Sequence, residues 1–126
     1  MIKLPNTKDN IRVIQEFIAE TKKRILEGEA ITFTKKASLE LENLMIDYDI
    51  NANAIEDAIL KLTLKNYYRG VDPSGGADFN VCAFRVFVGA DSIKIYLKYG
   101  LEVRGLQVLV FSNHIPDYTM DQPFKN

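Results

Sequence analysis

The chain has 126 residues, 47% of them hydrophobic and 26% charged, which predicts one domain over 1–126 with enough apolar side chains to bury a core. A formal net charge of −1 and a pI of about 5.8 lack the basic footprint that duplex DNA demands, so no duplex DNA partner is expected for the chain on its own. Met1-Ile2-Lys3-Leu4-Pro5 has no signal-peptide core, and no run approaches the roughly 18 apolar residues of a membrane span; a cytoplasmic location with no membrane partner is the expectation. Cys82 is the single cysteine. An intrachain disulfide is therefore ruled out, and its place in the apolar run Phe79–Val88 predicts a buried thiol.

Asn6 to Asn10 offer capping side chains, after which Ile11, Ile14, Phe17, Ile18, Ile25 and Leu26 recur at helical spacing up to Gly28. Ile31-Thr32-Phe33 reads as a short edge strand, and Thr34 as the cap of a second helix with Leu39, Leu41, Leu44 and Met45 on its apolar stripe. Asn51 or Asn53 can cap a third helix carrying Ile55, Ala58, Ile59 and Leu62. Tyr67 to Gly76 reads as an irregular connection, with Val71-Asp72-Pro73-Ser74-Gly75-Gly76 the clearest loop. Three strand candidates follow, at about Phe79–Val88, Ile93–Tyr99 and Leu106–Ser112, with short connections that imply antiparallel hairpins. Beyond Ile115 a surface tail is expected. The predicted fold is α+β, a small antiparallel sheet of about three to four strands with two to three helices on one face.

Charge is unevenly distributed. Ala37 to Leu60 holds six acidic residues and no lysine or arginine, whereas Lys61 to His114 holds seven cations against four acids, a local excess of positive charge where the strands should lie. Within the second strand candidate Ile93, Ile95, Leu97 and Tyr99 alternate with Lys94, Tyr96 and Lys98. An extended backbone buries the first set and presents the second on one face.

One histidine, one cysteine and no acidic cluster at metal-ligand spacing give a dedicated metal site almost no support, and no other cofactor is expected. Gly70 and Gly75-Gly76 do not form a lysine-bearing phosphate loop. What remains is a set of tyrosines and cations: Tyr68, Arg69, Arg85, Lys94, Tyr96, Lys98 and His114. Metal-free RNA cleavage needs a base for the 2′-OH, an acid for the departing 5′ oxygen, and positive charge on the phosphorane. Tyrosine, lysine, arginine and histidine can fill those roles. A solvated strand face with Tyr96 stacked across the sheet fits the same pattern.

From Thr21 onward the order of features resembles the MqsR family of toxins from bacterial toxin–antitoxin modules, within the wider RelE-type ribonuclease superfamily. The resemblance rests on a helix closing near Gly28, a helix over Lys36 to Ile46, Ile59-Leu60-Lys61-Leu62 leading into Tyr67-Tyr68-Arg69, then Ile95-Tyr96-Leu97-Lys98 and Leu109-Val110-Phe111. It covers roughly 21–114, which leaves 1–20 as an N-terminal helical extension and 115–126 as the tail. It implies a type II toxin, a metal-independent mRNA endoribonuclease acting on single-stranded RNA and neutralised by a cognate antitoxin protein. Carried over by position, the catalytic set is Tyr96, the strand tyrosine of proton transfer, Tyr68, the family tyrosine, Arg69, the adjacent catalytic cation, and Lys98, the lysine of the same strand motif as Tyr96. Arg85, Lys94 and His114 fall to RNA binding. The family's polar residue in the preceding strand has no clean counterpart, since Phe84 and Arg85 stand nearest, and arginine at position 69 can hold phosphate but is a poor proton shuttle. The alternative reading is a non-catalytic protein- or RNA-binding module on the same scaffold.

Overall fold

The structure, a computed structural model, describes residues 10–73 and 78–117, with the side chains of 71–73 left aside. Helix α1 (Ile11–Leu26) starts where the Asn10 side chain accepts the Val13 N–H at 3.2 Å, and carries Lys23 and Arg24 in its last turn, where cations favour the helix dipole. β1 (Ile31–Phe33) follows. Helix α2 (Lys35–Tyr48) is capped by Thr34 and stopped by Asp49 in the left-handed region at φ 57°, and α3 (Ala52–Leu60) is capped by Asn51. A single 3-10 turn at Leu64–Asn66 leads to β2 (Tyr67–Pro73), β3 (Phe79–Val88), β4 (Ile93–Glu102) and β5 (Val108–His114). No helix among the described residues is long and apolar enough to cross a membrane.

The five strands form one sheet in the order β1-β5-β4-β3-β2. β2 to β5 pair antiparallel, whereas β1 joins β5 in parallel, Ile31 opposite Val108. The fold is thus α+β, as expected, but with five strands in a mixed sheet rather than three to four antiparallel ones. Two elements account for the difference. The Tyr67 to Gly76 stretch is not an irregular connection up to Pro73 but the edge strand β2; of the loop expected there, residues 74–77 lie outside the described residues. β1, the strand before α2, adds to the outer edge of β5 in parallel, which makes the sheet mixed. The part of the expected surface tail beyond Asp117, and the caps expected at residues 6–9, lie outside the described residues.

One face of the sheet is dry. Ile14 and Phe17 of α1, Leu41 and Leu44 of α2, and Ile55 and Ile59 of α3 share a core with Phe84, Val86, Ile95, Leu97, Val108 and Val110 of the strands, the dominant contribution to folding. α1 runs through position 20 without a break, so Phe17 meets Phe84 and Tyr99 at ring separations of 6.2 and 5.2 Å. Cys82 is buried on this face.

Two polar side chains fasten α1 to the sheet. The buried Tyr99 hydroxyl lies 2.8 Å from Thr21 Oγ1, which itself donates to the Phe17 carbonyl, and burial holds the Tyr99 phenol well above its ordinary pKa. Arg24, 2% exposed, donates Nε to Glu20 at 2.7 Å and its two terminal nitrogens to the carbonyls of Gln107 (3.1 Å) and Glu102 (2.9 Å). The guanidinium fork therefore ties the helix to the end of β4 and to the residue just before β5.

Candidate nucleic-acid interface

The opposite face of the sheet carries polar rows set by strand register. In the first row Arg69 (β2) stands opposite Ala83 (β3), Ala83 opposite Lys98 (β4), and Lys98 opposite Ser112 (β5). The next row runs Arg85, Tyr96, His114 across β3, β4 and β5, and a third places Lys94 opposite Phe87. Each row crosses the strands at the usual separation of about 4.8 Å.

Bulges create this arrangement. Tyr99 pairs with Val110 but Lys98 pairs with Ser112, so Phe111 is an extra residue that shifts β5 by one position. Continuing the regular register would set Asn113 opposite Tyr96 and turn His114 to the helix side. With the bulge, His114 stacks on Tyr96 at a centroid separation of 5.1 Å and an interplanar angle of 24°. A second bulge, at Tyr68, lets Arg69 face Ala83 and leaves the Tyr68 ring edge-on to Tyr96 at 6.2 Å. The Arg69 guanidinium sits 5.3 Å from the Tyr68 ring centre.

Helix α2 closes the side of this face. β1 pairs with β5 only from Val108 to Val110, so the outer edge of β5 beyond that point needs another partner. Glu40 supplies it: its Oε1 accepts the Asn113 N–H at 3.1 Å and the Ser112 hydroxyl at 3.2 Å. Asn113, fully buried, donates its side-chain amide to the Ala37 carbonyl at 2.9 Å. His114 Nδ1 lies 2.8 Å from the Ile115 carbonyl, which can only accept, so Nδ1 is the donor there, and Nε2 lies 4.0 Å from Glu40 Oε2.

Between the sheet face and α2 lies a cavity of about 420 Å³ lined by Lys36, Arg69, Tyr96, Lys98, Ser112 and His114, with Asp117 the one carboxylate on its rim. A smaller hollow of about 190 Å³ opens over Ala83 between Arg69 and Lys98, where the row has its smallest side chain. Phe111 forms another wall, edge-on to Phe79 at 5.8 Å. Both side chains sit against Gly100, where a Cβ would come within 2.9 Å of the Phe111 ring, 3.1 Å of the Asn80 carbonyl and 3.2 Å of the Phe79 Cβ. Tyr96 is 8% exposed, and its hydroxyl makes no hydrogen bond among the described residues. A cavity of this size holding cations, an uncommitted phenol and a stacked imidazole can bind an anionic ester and move a proton on it.

Of the residues singled out in the sequence, Arg69, Tyr96, Lys98 and His114 line the cavity, and Tyr68 supports Tyr96 from behind. Arg85 and Lys94 do not reach it. The Arg85 guanidinium lies over Phe87 at 5.5 Å, its buried Nε without a hydrogen-bond partner among the described residues, and Lys94 is exposed one row further on. Lys36, Glu40 and Ser112 were not singled out as functional. A signal existed in Lys36 and Glu40, one helical turn apart beside the buried Ala37–Leu41 stripe. Among the described residues no group of three His, Cys, Asp or Glu side chains could together hold a metal ion.

Fold and site together define an α+β protein with a basic, aromatic-walled cavity on the open face of its sheet. No family model, curated protein or solved structure matches the chain.

Proposed function

We propose that the chain is an MqsR-like, RelE-type endoribonuclease, the toxin of a type II toxin–antitoxin system, cutting single-stranded mRNA without a metal ion. One observation carries the reading. Arg69 of β2 and Tyr96 and Lys98 of β4 converge on one cavity beside His114 of β5. The resemblance supplies the reaction class, and the cavity has the groups that class requires.

The substrate phosphate lies between Arg69 and Lys98, over the hollow at Ala83. The 2′ oxygen attacks phosphorus as its proton leaves, the bond to the 5′ oxygen breaks, and that oxygen takes up a proton; the products are a 2′,3′-cyclic phosphate and a 5′-hydroxyl. The Tyr96 hydroxyl moves a proton at this centre. Arg69 and Lys98 offset the charge that accumulates on the phosphorane. Tyr68 and His114 offer ring faces to the flanking bases, which suits an unpaired strand. Arg85 and Lys94 extend the basic face beyond the cavity, and the cognate antitoxin protein neutralises the toxin.

The test is incubation of purified protein with a long single-stranded RNA in EDTA, beside Tyr96→Phe and Arg69→Ala, with mapping of the ends. Wild type is expected to cut and leave 2′,3′-cyclic phosphates, and each variant to be slower by about a hundredfold or more. Undiminished cleavage by both variants overturns the assignment. RNA bound but left intact by wild type would move the function to a non-catalytic binding module.

A further inference from the structure

We propose that Lys36, in the first turn of α2, binds a second phosphate of the same RNA strand, next to the one held by Arg69 and Lys98. This rests on the ribonuclease reading above and deepens it: the substrate is an oligonucleotide whose backbone crosses the sheet, not an isolated phosphodiester.

The argument begins with a pair that does not form. Lys36 and Glu40 are four residues apart on one helix, the spacing at which opposite charges ordinarily meet. Three other pairs at this spacing do meet, Arg12 with Glu16 at 3.4 Å, Arg24 with Glu20 at 2.7 Å and Lys61 with Asp57 at 2.8 Å. Lys36 instead donates to Ser112 Oγ at 3.3 Å, and among the described residues no carboxylate lies within 4.0 Å of its ammonium group.

Ser112 is the reason. Its hydroxyl, on a residue 3% exposed, has one proton and gives it to Glu40, so its lone pairs are left to receive Lys36. Glu40 Oε1 is further engaged by the Asn113 N–H. The carboxylate is turned to the strand edge while the ammonium is anchored by a neutral oxygen on the cavity wall, with no carboxylate in direct ion-pair contact among the described residues.

Position decides what that charge meets. The row Arg69, Ala83, Lys98, Ser112 crosses four strands, and Lys36 extends it over the rim of β5 onto α2. Arg69 and Lys98 are two strand separations apart, about 10 Å at the backbone, and Lys36 adds to that span. Such a row exceeds a single phosphate group, and a single strand presents a new phosphate with every nucleotide.

The experiment measures binding of an uncleavable single-stranded 2′-O-methyl RNA by fluorescence anisotropy over a range of salt, for wild type, Lys36→Gln, Lys36→Arg and Ser112→Ala. Lys36→Gln is expected to weaken binding roughly fivefold at low salt and to reduce the slope of log K against log salt by about 0.7, the value for one lost phosphate contact on a single strand. Lys36→Arg restores the slope. Ser112→Ala frees Glu40 to pair with Lys36 and mimics the loss although the lysine remains. A second readout is cleavage of a dinucleoside monophosphate, which has one phosphate; Lys36→Gln is expected to cleave it at the wild-type rate. An equal loss on both substrates, or wild-type affinity and slope in Lys36→Gln, overturns this inference alone. Failure of wild type to bind the oligonucleotide overturns the ribonuclease reading with it.

Discussion

Replacing Glu40 by alanine tests whether α2 holds the β5 bulge and, through it, the site. The Asn113 N–H, on a fully buried residue, loses its acceptor at 3.1 Å, and an orphaned buried donor costs about 1–3 kcal/mol. Ser112 loses a charged acceptor at 3.2 Å, nominally about 1.5–3 kcal/mol. Against these stands the relief of returning no carboxylate to a site where the Glu40 side chain is only 19% exposed. The net expectation is about 2–4 kcal/mol, out of the roughly 5–15 kcal/mol that stabilise an ordinary domain. Glu40→Gln keeps an oxygen for Asn113 and should lose about 1 kcal/mol. Urea titration gives both values, with the midpoint falling at constant slope. In parallel, NMR cross-peaks between the Tyr96 and His114 rings report the bulge. They should weaken in the alanine variant, because a slip to regular register sets Asn113 opposite Tyr96, and persist in the glutamine variant. A loss below about 0.5 kcal/mol for Glu40→Ala, with the ring contacts intact, would refute the argument.

Arg24→Met retains most of the buried stem but removes the fork that joins Glu20 to the carbonyls of Glu102 and Gln107; a destabilisation of about 3–5 kcal/mol is expected in urea, and a loss under about 1 kcal/mol would show that packing alone docks α1. Tyr99 gives a pH dependence. Its phenol is held protonated by burial, so above about pH 10 the unfolded chain releases a proton that the folded chain keeps, and stability falls by up to about 1.4 kcal/mol per pH unit until the folded group also ionises. Below about pH 10 both states are protonated and this contribution is flat. Tyr99→Phe should cost about 1 kcal/mol at neutral pH through the lost Thr21 contact yet show a shallower alkaline decline; parallel declines in the two proteins would sink the assignment.

Much of the scaffold was legible because local chemistry and tertiary need agree. Thr34 and Asn51 cap the helices that their side chains announce, and the alternation Cys82, Phe84, Val86, Val88 against Arg85 gives the face of β3 directly. The alternation of Ile95, Leu97 and Tyr99 with Lys94, Tyr96 and Lys98 likewise appears as written. Legibility fails where period two fails. β2 shifts register between Tyr67 and Arg69 and again between Gly70 and Asp72, so no regular alternation marks it as a strand. In β5 the bulge at Phe111 leaves Ser112 and Asn113 both buried, which hides the facing of His114 from any pattern count. Lys36 and Glu40 escaped because a helix stripe announces its buried side, and these two act from its margin across 76 and 73 residues of chain, onto Ser112 and Asn113.

The double irregularity of β2 also governs how molecules meet. An edge strand offers unpaired backbone groups to any neighbouring chain, and a straight one would let sheets join end to end. Here two register shifts fall within Tyr67–Pro73, and Pro73 has no N–H to donate. At the other end β1 has three residues, too few to template a further strand. The irregularities that turn Arg69 toward the cavity thereby also blunt the sheet's margin against edge-to-edge pairing.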